Sequence, residues 1–252
     1  MGELTEPKAF LSDDVRQEID RLTSIHNKTP RFFKLDERLS SDEVKIYVPP
    51  AGIKDEYLPR IVRGKSSGQV SHIFLGGNYD KNLEIKLINT SSVIYLSGNT
   101  KWCRFTGCIE LRQTSCFFLG RGISANNLAI NCSNESVLIG DDCMFAEGVC
   151  IRTHSGHAFL NLDDDTKVTY SSPLTIEPHV WVGQDAKLFM CSFVGACSVI
   201  GFGALVTKPV ARMVSAKGVP AKATSLDGKL WLRNSNFRNT ELAKKAYRLF
   251  LG

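Results

Sequence analysis

The chain lacks three features that would assign it to other classes of protein. No apolar run approaches the roughly 20 residues that span a bilayer, so we expect no stable membrane insertion. The first residues are polar and contain no apolar signal core, which favours a cytoplasmic protein. None of the eight cysteines forms a C-x-x-C pair, which argues against a zinc ribbon or a thioredoxin-type redox centre. The cysteines are expected to be reduced thiols.

The chain also has little excess of charge. Its formal net charge is +5 over 252 residues, which suits an anionic ligand such as a phosphate-bearing cofactor. It has no motif of interleaved basic and aromatic residues, so no nucleic acid is expected as a partner. The apolar and charged fractions are 43% and 23%, which are ordinary values for a globular protein.

What the chain does have is a period of six between residues 176 and 210. Every sixth residue is a branched aliphatic: Ile176, Val182, Leu188, Val194, Ile200 and Val206. The fifth position of each hexad is small or Val: Val180, Ala186, Ser192, Ser198, Ala204 and Val210. This period belongs neither to a helix nor to a simple strand. It predicts a hexapeptide-repeat β-helix, in which short strands form the sides and turns form the corners.

The pattern divides the chain into three parts. From residue 68 to 212, short β runs separated by Gly, Asn, Asp and Ser predict the β-helix itself, with less regular first coils. Residues 1–67 are expected to form a helix from Asp13 to Leu22, with Ser12 as its N-cap, and an irregular arm. Residues 213–252 are expected to end in a helix that covers one end of the solenoid.

The sequence also predicts the buried face of the C-terminal helix and the position of a loop. The C-terminal helix is predicted to place Leu242, Ala246 and Leu249 on one face. The spacing from Ile151 to Ile176 is not a multiple of six, so a polar loop is predicted to leave the solenoid over residues 157–175. Loops on a rigid scaffold are common places for functional sites.

The motifs around this loop resemble those of the hexapeptide-repeat O-acetyltransferases. The resemblance covers about residues 70–225 and is greatest to the galactoside, maltose and polysaccharide O-acetyltransferases. The segments that carry it are Ile-Gly-Asp-Asp at 139–142, Ile-Arg-Thr-His-Ser-Gly-His at 151–157, Ile-Glu-Pro-His-Val-Trp-Val-Gly at 176–183, Val-Thr-Lys at 206–208 and Gly-Val-Pro-Ala-Lys at 218–222.

The resemblance implies the fold, the assembly and the reaction. The fold would be an all-β, left-handed parallel β-helix, assembled as a homotrimer with active sites between neighbouring subunits. The enzyme would transfer an acetyl group from acetyl-CoA, without a metal, to a sugar hydroxyl. The acceptor would be a saccharide, such as a surface polysaccharide or its precursor.

His157 matches the catalytic histidine of that family, which stands just before the loop in a pattern like Ser-Asp-x-His-x-Ile-x-Asp. Here His154 and Ser155 replace Ser-Asp, and Asn161 replaces the later Asp. An imidazole with a pKa near 6.5 can accept the proton of an attacking hydroxyl. His154 is predicted to shape the acceptor site and is the alternative base. His179 falls at a corner and is expected to be a solvated turn residue.

The resemblance also implies a set of residues that bind the donor. Trp181 would lie beside the acetyl or pantetheine end of acetyl-CoA. The pantetheine arm would run along Gly183, Gln184, Gly201, Phe202 and Gly203. The phosphates at the nucleotide end would meet Thr207, Lys208 and Lys222, because lysine offers a compact cation to a phosphate.

Three alternatives remain at this point. An N-acetyltransferase acting on an amino sugar would use the same donor and base. A γ-type carbonic anhydrase would bind zinc through His154, His157 and His179, although their spacing does not resemble that family. A non-catalytic trimeric scaffold also stays open, because the Ser-Asp positions are substituted.

Overall fold

A computed structural model describes residues 11–23, 33–64, 68–98, 104–234 and 240–252. Over these residues the chain forms a parallel β-solenoid with two α-helices packed on its outside. The predicted all-β parallel β-helix is confirmed, and its handedness stays a prediction. Among the described residues, no helix combines the length and the apolar character needed to cross a bilayer.

The N-terminal segment contributes strands to the solenoid as well as the predicted helix. Its elements are α1 (Asp13–Leu22), β1 (Lys34–Leu35), β2 (Val44–Val48), a 3-10 turn (Asp55–Tyr57) and β3 (Arg60–Arg63). α1 begins after Ser12, whose backbone is extended but whose hydroxyl makes no capping hydrogen bond. The helix α1 is confirmed.

The first full coils of the solenoid are wide and have long strands on one side. They contain β4 (Ser71–Leu75), β5 (Leu83–Thr90), β6 (Val93–Leu96), β7 (Phe105–Gln113), β8 (Cys116–Leu119) and β9 (Ser124–Ser133). β2 pairs in parallel with β4, and β3 pairs in parallel with β5. The prediction of an irregular arm up to residue 67 is therefore wrong where β2 and β3 lie. The residues of these strands do not follow the hexad pattern, yet both strands pair with the next coil.

The later coils have three short strands each. The elements after β9 are β10 (Ser136–Ile139), β11 (Met144–Phe145), β12 (Cys150–Arg152), β13 (His154–Leu160), β14 (Lys167–Ser171), β15 (Leu174–Ile176), β16 (Trp181–Val182), β17 (Lys187–Phe189), β18 (Phe193–Val194), β19 (Val199–Ile200), β20 (Leu205–Val206), β21 (Val214–Lys217), β22 (Lys222–Ser225) and α2 (Thr240–Leu251). β9 is the transition, because its first part pairs with β11 and its second part with β12.

Three parallel faces result. The first face stacks β10, β15 and β18; the second stacks β11, β16 and β19; the third stacks β12, β17 and β20. The hexad aliphatics are in register on each face and are almost fully buried, as in the stack of Ile151, Leu188 and Val206. Burial of each such side chain contributes about 1.5–3 kcal/mol. The predicted hexad core is confirmed.

The corners use backbone conformations with positive φ. At the corner between the first and second faces, Asp142, His179 and Cys197 occupy equivalent positions with φ values of 58°, 59° and 60°. At the next corner, the equivalent residues are Gly148, Asp185 and Gly203. A Cβ on Gly148 would lie 2.3 Å from a carboxylate oxygen of Asp185, so this close stacking requires glycine.

The two helices cover different outer surfaces. α1 covers the outside of the first face, where Tyr47, Phe74, Tyr95 and Phe118 form a ladder of buried aromatic rings. α2 packs against a corner of the last coil through Ala243, Ala246 and Phe250.

The predicted face of α2 is partly wrong, because Leu249 is 49% exposed and Phe250 is buried instead. The buried surface of the helix is set by where the corner residues Ala196 and Cys197 lie. α2 therefore covers this corner, while β21 and β22 extend the second face beyond β19.

A buried carboxylate connects both helices to the solenoid. Glu177, just after β15, accepts hydrogen bonds from Arg21 of α1, from Arg212 and from the backbone N–H of Ala196. Arg212 also donates to the carbonyl of Phe250 in α2 over 2.7 Å. Burial alone would raise the pKa of Glu177, but the hydrogen bonds from Arg212 and Arg21 outweigh it and lower the pKa below its usual value.

Candidate active site at the base of the hairpin

The predicted loop is a two-stranded antiparallel hairpin, β13–β14. It leaves the solenoid at the end of the third face, after β12, and returns to β15 on the first face. The pairing runs from Leu160 opposite Lys167 down to His154 opposite Ser171, with an irregularity after His154. The hairpin begins at His154 and not at the predicted residue 157, because the residues before the expected loop already pair as a strand.

A half-open cavity of about 580 Å³ lies between the base of this hairpin and the ends of β7 and β9. We call it the hairpin pocket. Its lining is mostly polar and consists of Arg112, Gln113, Asn131, Ser133, Asn134, Arg152, His154, Ser155, Gly156, His157, Ala158, Thr169, Tyr170 and Ser171. The pocket therefore joins side chains of three successive coils to the two predicted histidines.

His154 is half-buried and held by neighbours. Its Nε2 lies 2.6 Å from the side-chain oxygen of Asn131, and its backbone carbonyl accepts a hydrogen bond from Nε of Arg152 over 3.1 Å. Burial lowers the pKa of His154, and the positive charges of Arg152 and Arg112 lower it further. Both effects favour the neutral form of the imidazole.

His157 lines the same pocket but is exposed. Ser155, which stands where the family pattern has its Asp, donates its hydroxyl to the backbone carbonyl of His157 over 2.8 Å. Ser155 thus orders the backbone and not the ring. Among the described residues, the imidazole of His157 makes no hydrogen bond.

The predicted donor-binding residues lie elsewhere, on the second face and the corner that follows it. Trp181 is on β16 and is 36% exposed, and Phe202, one coil further, is 72% exposed. Gly203 donates its N–H to the carbonyl of Gln184 over 2.8 Å, which stacks the two corners. A Cβ on Gly183 would approach the backbone nitrogen of Phe202 to 2.8 Å, so this contact requires glycine.

The predicted phosphate-binding residues are all exposed. Thr207 and Lys208 follow β20, and Lys222 opens β22 opposite Lys217. Gly201 packs closely against Lys217. A Cβ on Gly201 would lie 2.8 Å from the side chain of Lys217. Within the described residues of one chain, none of the predicted donor residues lines the hairpin pocket.

His179 is not a solvated turn residue, and that prediction is wrong. Its side chain is fully buried, with Nδ1 2.8 Å from a carboxylate oxygen of Asp142 and Nε2 2.9 Å from the backbone carbonyl of Trp231. The rings of His179 and Trp231 stack at 4.2 Å. Both ring nitrogens are therefore engaged with an oxygen of a neighbouring residue. No nitrogen is left to bind zinc with His154 and His157, which removes the support for a carbonic anhydrase site.

Other members of this cluster come from the C-terminal extension. Arg233 donates to Asp142 over 2.9 Å and to the carbonyl of Cys143 over 2.8 Å, and Nε1 of Trp231 donates to the carbonyl of His179. His179 has the positive φ of the corner residues, and its ring stacks on Trp231 of this segment. Sequence reasoning missed both residues because the extension has no repeat.

Four residues beside the histidines also escaped the sequence analysis. Glu110, Arg112 and Asn131 come from earlier coils, and Arg152 comes from the strand before His154. Polar residues at alternating positions of a strand predict that one face is exposed, but they do not single out a functional site. The register between coils is what brings Glu110, Asn131 and Arg152 side by side.

The chain is similar to O-acetyltransferases in sequence. No family model matches it. It is 38% identical over 87 residues to the polysialic acid O-acetyltransferase of Escherichia coli O1:K1 / APEC, which covers 34% of this chain and 28% of that protein. It is 35% identical over 105 residues to the galactoside O-acetyltransferase of Escherichia coli K12, covering 41% of this chain and 51% of that protein. The chain thus spans only part of the length of these relatives.

The fold is also found among solved structures. The crystal structure of the polySia-specific acetyltransferase NeuO matches with a TM-score of 0.54 and 22% identity, covering 86% of this chain and 97% of NeuO. At this level of identity the match concerns the fold alone. The sequence similarity to the two O-acetyltransferases confirms the resemblance predicted from the motifs, and the match to NeuO confirms the fold.

Proposed function

We propose that this chain, which is similar to O-acetyltransferases built on the hexapeptide-repeat solenoid, transfers an acetyl group from acetyl-CoA to a saccharide hydroxyl. The observation that carries the proposal is the hairpin pocket, which His154 and His157 both line at the base of the hairpin. The names of the relatives support a saccharide acceptor, such as a surface polysaccharide or its precursor.

His157 is the general base in this proposal. Its imidazole accepts the proton of the acceptor hydroxyl while the oxygen attacks the thioester carbonyl carbon. The tetrahedral intermediate then expels the CoA thiolate, which takes up the proton from His157. General-base catalysis of this kind accelerates a reaction by about 10²–10⁴-fold. The exposure of His157 leaves its ring accessible to both substrates.

The donor binds along the second face in this proposal. Trp181 contacts the acyl end, the corner formed by Gly183, Gln184 and residues 201–203 holds the pantetheine arm, and Lys208 and Lys222 with Thr207 meet the phosphates. Gly183 packs directly against the backbone of the next coil, so these two corners lie side by side on the donor surface.

The donor surface and the hairpin pocket lie on different parts of one chain, so a complete site needs two chains. We assign the donor surface of one protomer to the hairpin pocket of the next in a homotrimer. Large apolar side chains are exposed on both surfaces, including Phe159 at 62% and Leu162 at 89% on the hairpin and Phe202 at 72% on the donor side. Apolar patches of this kind commonly mark protein contacts.

The acceptor carries an acidic group in this proposal. Arg112 and Arg152 both line the hairpin pocket, and each has its Nε committed, to Glu110 and to the carbonyl of His154 respectively. Their terminal nitrogens offer the paired donors that suit a carboxylate or a phosphate. The polysialic acid O-acetyltransferase among the relatives is consistent with such an acceptor.

Calorimetric titration with acetyl-CoA and with dephospho-CoA tests the donor, and acetyl transfer to matched acidic, neutral and amino saccharides tests the acceptor. We expect one donor site per chain, weaker binding without the 3′-phosphate, and O-acetylation of the acidic saccharides. Acetylation of the amino group alone would instead establish an N-acetyltransferase. Absence of donor binding at millimolar concentration would favour a scaffold.

A further inference from the structure

A chain of hydrogen bonds runs across three coils and ends on His154. Glu110 on β7 and Asn131 on β9 are direct partners in the parallel register. The amide nitrogen of Asn131 donates to a carboxylate oxygen of Glu110 over 2.9 Å. The amide oxygen of the same side chain lies 2.6 Å from Nε2 of His154.

The chemistry of these groups leaves one arrangement of protons. An ionised carboxylate only accepts hydrogen bonds, so Glu110 fixes the amide nitrogen of Asn131 on its own side. The amide oxygen therefore faces His154, and it too can only accept. Nε2 of His154 must then carry the proton, which leaves Nδ1 with its lone pair in the neutral ring.

The surrounding charges support this arrangement. Arg112 donates its Nε to the same oxygen of Glu110 over 2.7 Å, so this oxygen accepts from both Arg112 and Asn131. Arg112 and Arg152 both disfavour a positive charge on His154, whereas Glu110 favours it. His157 and Tyr170 also line this cavity, and nearby Glu135 accepts a hydrogen bond from Ser171.

Gly156 lies on the Nδ1 side of His154 and brings no side chain against it. Its φ is +81°, and even an added Cβ would stay 3.8 Å from Nδ1 while meeting a terminal nitrogen of Arg152 at 2.8 Å. Among the described residues, Nδ1 makes no hydrogen bond. His154 therefore presents an acceptor of fixed position to the hairpin pocket, in contrast to the unheld ring of His157.

We propose that Glu110 and Asn131 are positioning residues that hold His154 as the neutral Nε2–H tautomer, so that Nδ1 accepts a hydrogen bond from a hydroxyl of the acceptor saccharide. This inference rests on the proposed function for its ligand. His157 deprotonates the reacting hydroxyl, and His154 binds a neighbouring one. The proton arrangement itself depends only on this chain.

Nitrogen NMR of the histidine rings tests the proton arrangement without substrate. Long-range ¹H–¹⁵N spectra of the wild-type protein should show His154, assigned by the loss of its signals in His154→Gln, as the Nε2–H tautomer. Asn131→Asp should raise the pKa of His154, because a carboxylate then faces Nε2. Glu110→Gln should give a mixture of tautomers. Asn78→Asp adds the same charge at an exposed position away from the pocket and should change neither property.

Kinetics test the role of this arrangement in acceptor binding. At neutral pH, Asn131→Asp should raise KM for the saccharide about tenfold, the effect of one hydrogen bond, and leave KM for acetyl-CoA within about twofold. The pH at which saccharide binding weakens should move upward in this variant. Thermal unfolding of each variant checks folding, and Glu110→Gln replaces Asn131→Asp if that variant unfolds.

Each result has a defined meaning. An Nδ1–H tautomer in the wild-type protein, or an Asn131→Asp variant that behaves like Asn78→Asp, overturns the inference. If the expected tautomer is seen but no saccharide is acetylated, the proposed function fails while the proton arrangement stands. If acetylation occurs and KM for the saccharide does not respond, the positioning role is wrong and His157 acts without it.

Discussion

His154 and His179 both face an oxygen-bearing side chain from an earlier coil, yet their surroundings give them different roles. His179 is fully buried, and both of its ring nitrogens are committed, to Asp142 and to Trp231. His154 is half-buried, has one nitrogen held by Asn131, and lines a cavity. Two properties therefore distinguish a structural histidine from a candidate functional one: how many of its ring nitrogens are hydrogen-bonded, and whether it lines a cavity.

The largest expected effect is the loss of activity when the proposed catalytic histidine is replaced. We expect His157→Ala to lower kcat for acetyl transfer by about 10²–10⁴-fold, because general-base catalysis is lost. An assay with acetyl-CoA and an acidic saccharide measures it. The melting temperature should stay close to that of the wild type, since His157 is exposed. Retained activity would move the base to His154.

The next largest effect is the loss of stability when the buried histidine is replaced. We expect His179→Ala to lower the free energy of unfolding by about 3 kcal/mol, because it leaves buried acceptors on Asp142 and Trp231 unpaired and opens a cavity. Denaturant unfolding measures the loss. His154→Ala is the matched control and should cost less than about 1 kcal/mol, because its site is open to water. Equal losses for the two variants would show that burial does not distinguish the two histidines.

The buried carboxylate of Glu177 should make the stability of the protein depend on pH, as an exposed carboxylate would not. The pKa of Glu177 is lowered in the folded protein, so its contribution to stability is complete above its unfolded pKa and is lost as pH falls through the folded value. We expect Glu177→Gln to lower stability by about 2 kcal/mol at pH 7 and to flatten the acid limb of stability against pH. Unfolding curves between pH 3 and pH 7 test this, with exposed Glu241→Gln as the control. An unchanged acid limb would exclude Glu177 as its source.

The smallest expected effect concerns the donor. Lys222 is exposed, and an exposed ion pair contributes only about 0.2–1 kcal/mol. We therefore expect Lys222→Gln to weaken acetyl-CoA binding about threefold and to leave dephospho-CoA binding unchanged, by calorimetry. Lys229→Gln, also exposed but outside the predicted donor residues, serves as the control. Equal weakening for both ligands would place Lys222 away from the 3′-phosphate.

The two histidines also show where sequence reasoning ends. Hexad spacing predicted the faces from Ile139 to Val206 because each six-residue side carries its own buried aliphatic. The break before Ile176 predicted the excursion that carries His154 and His157. The buried state of His179 was not predictable, because it depends on Trp231 and Arg233, which return from a segment without a repeat.

By itself, the sequence determined the parallel solenoid, the two helices and the place of the hairpin, because these follow from local periodicity and composition. Only the tertiary structure decided that β2 and β3 join the first coils, that α2 buries Phe250, and that Glu110, Asn131 and His154 form one chain. The physical reason is register. Coils of unequal length before β10 hide which residues become neighbours, and hydrogen bonds between coils depend on that alignment alone.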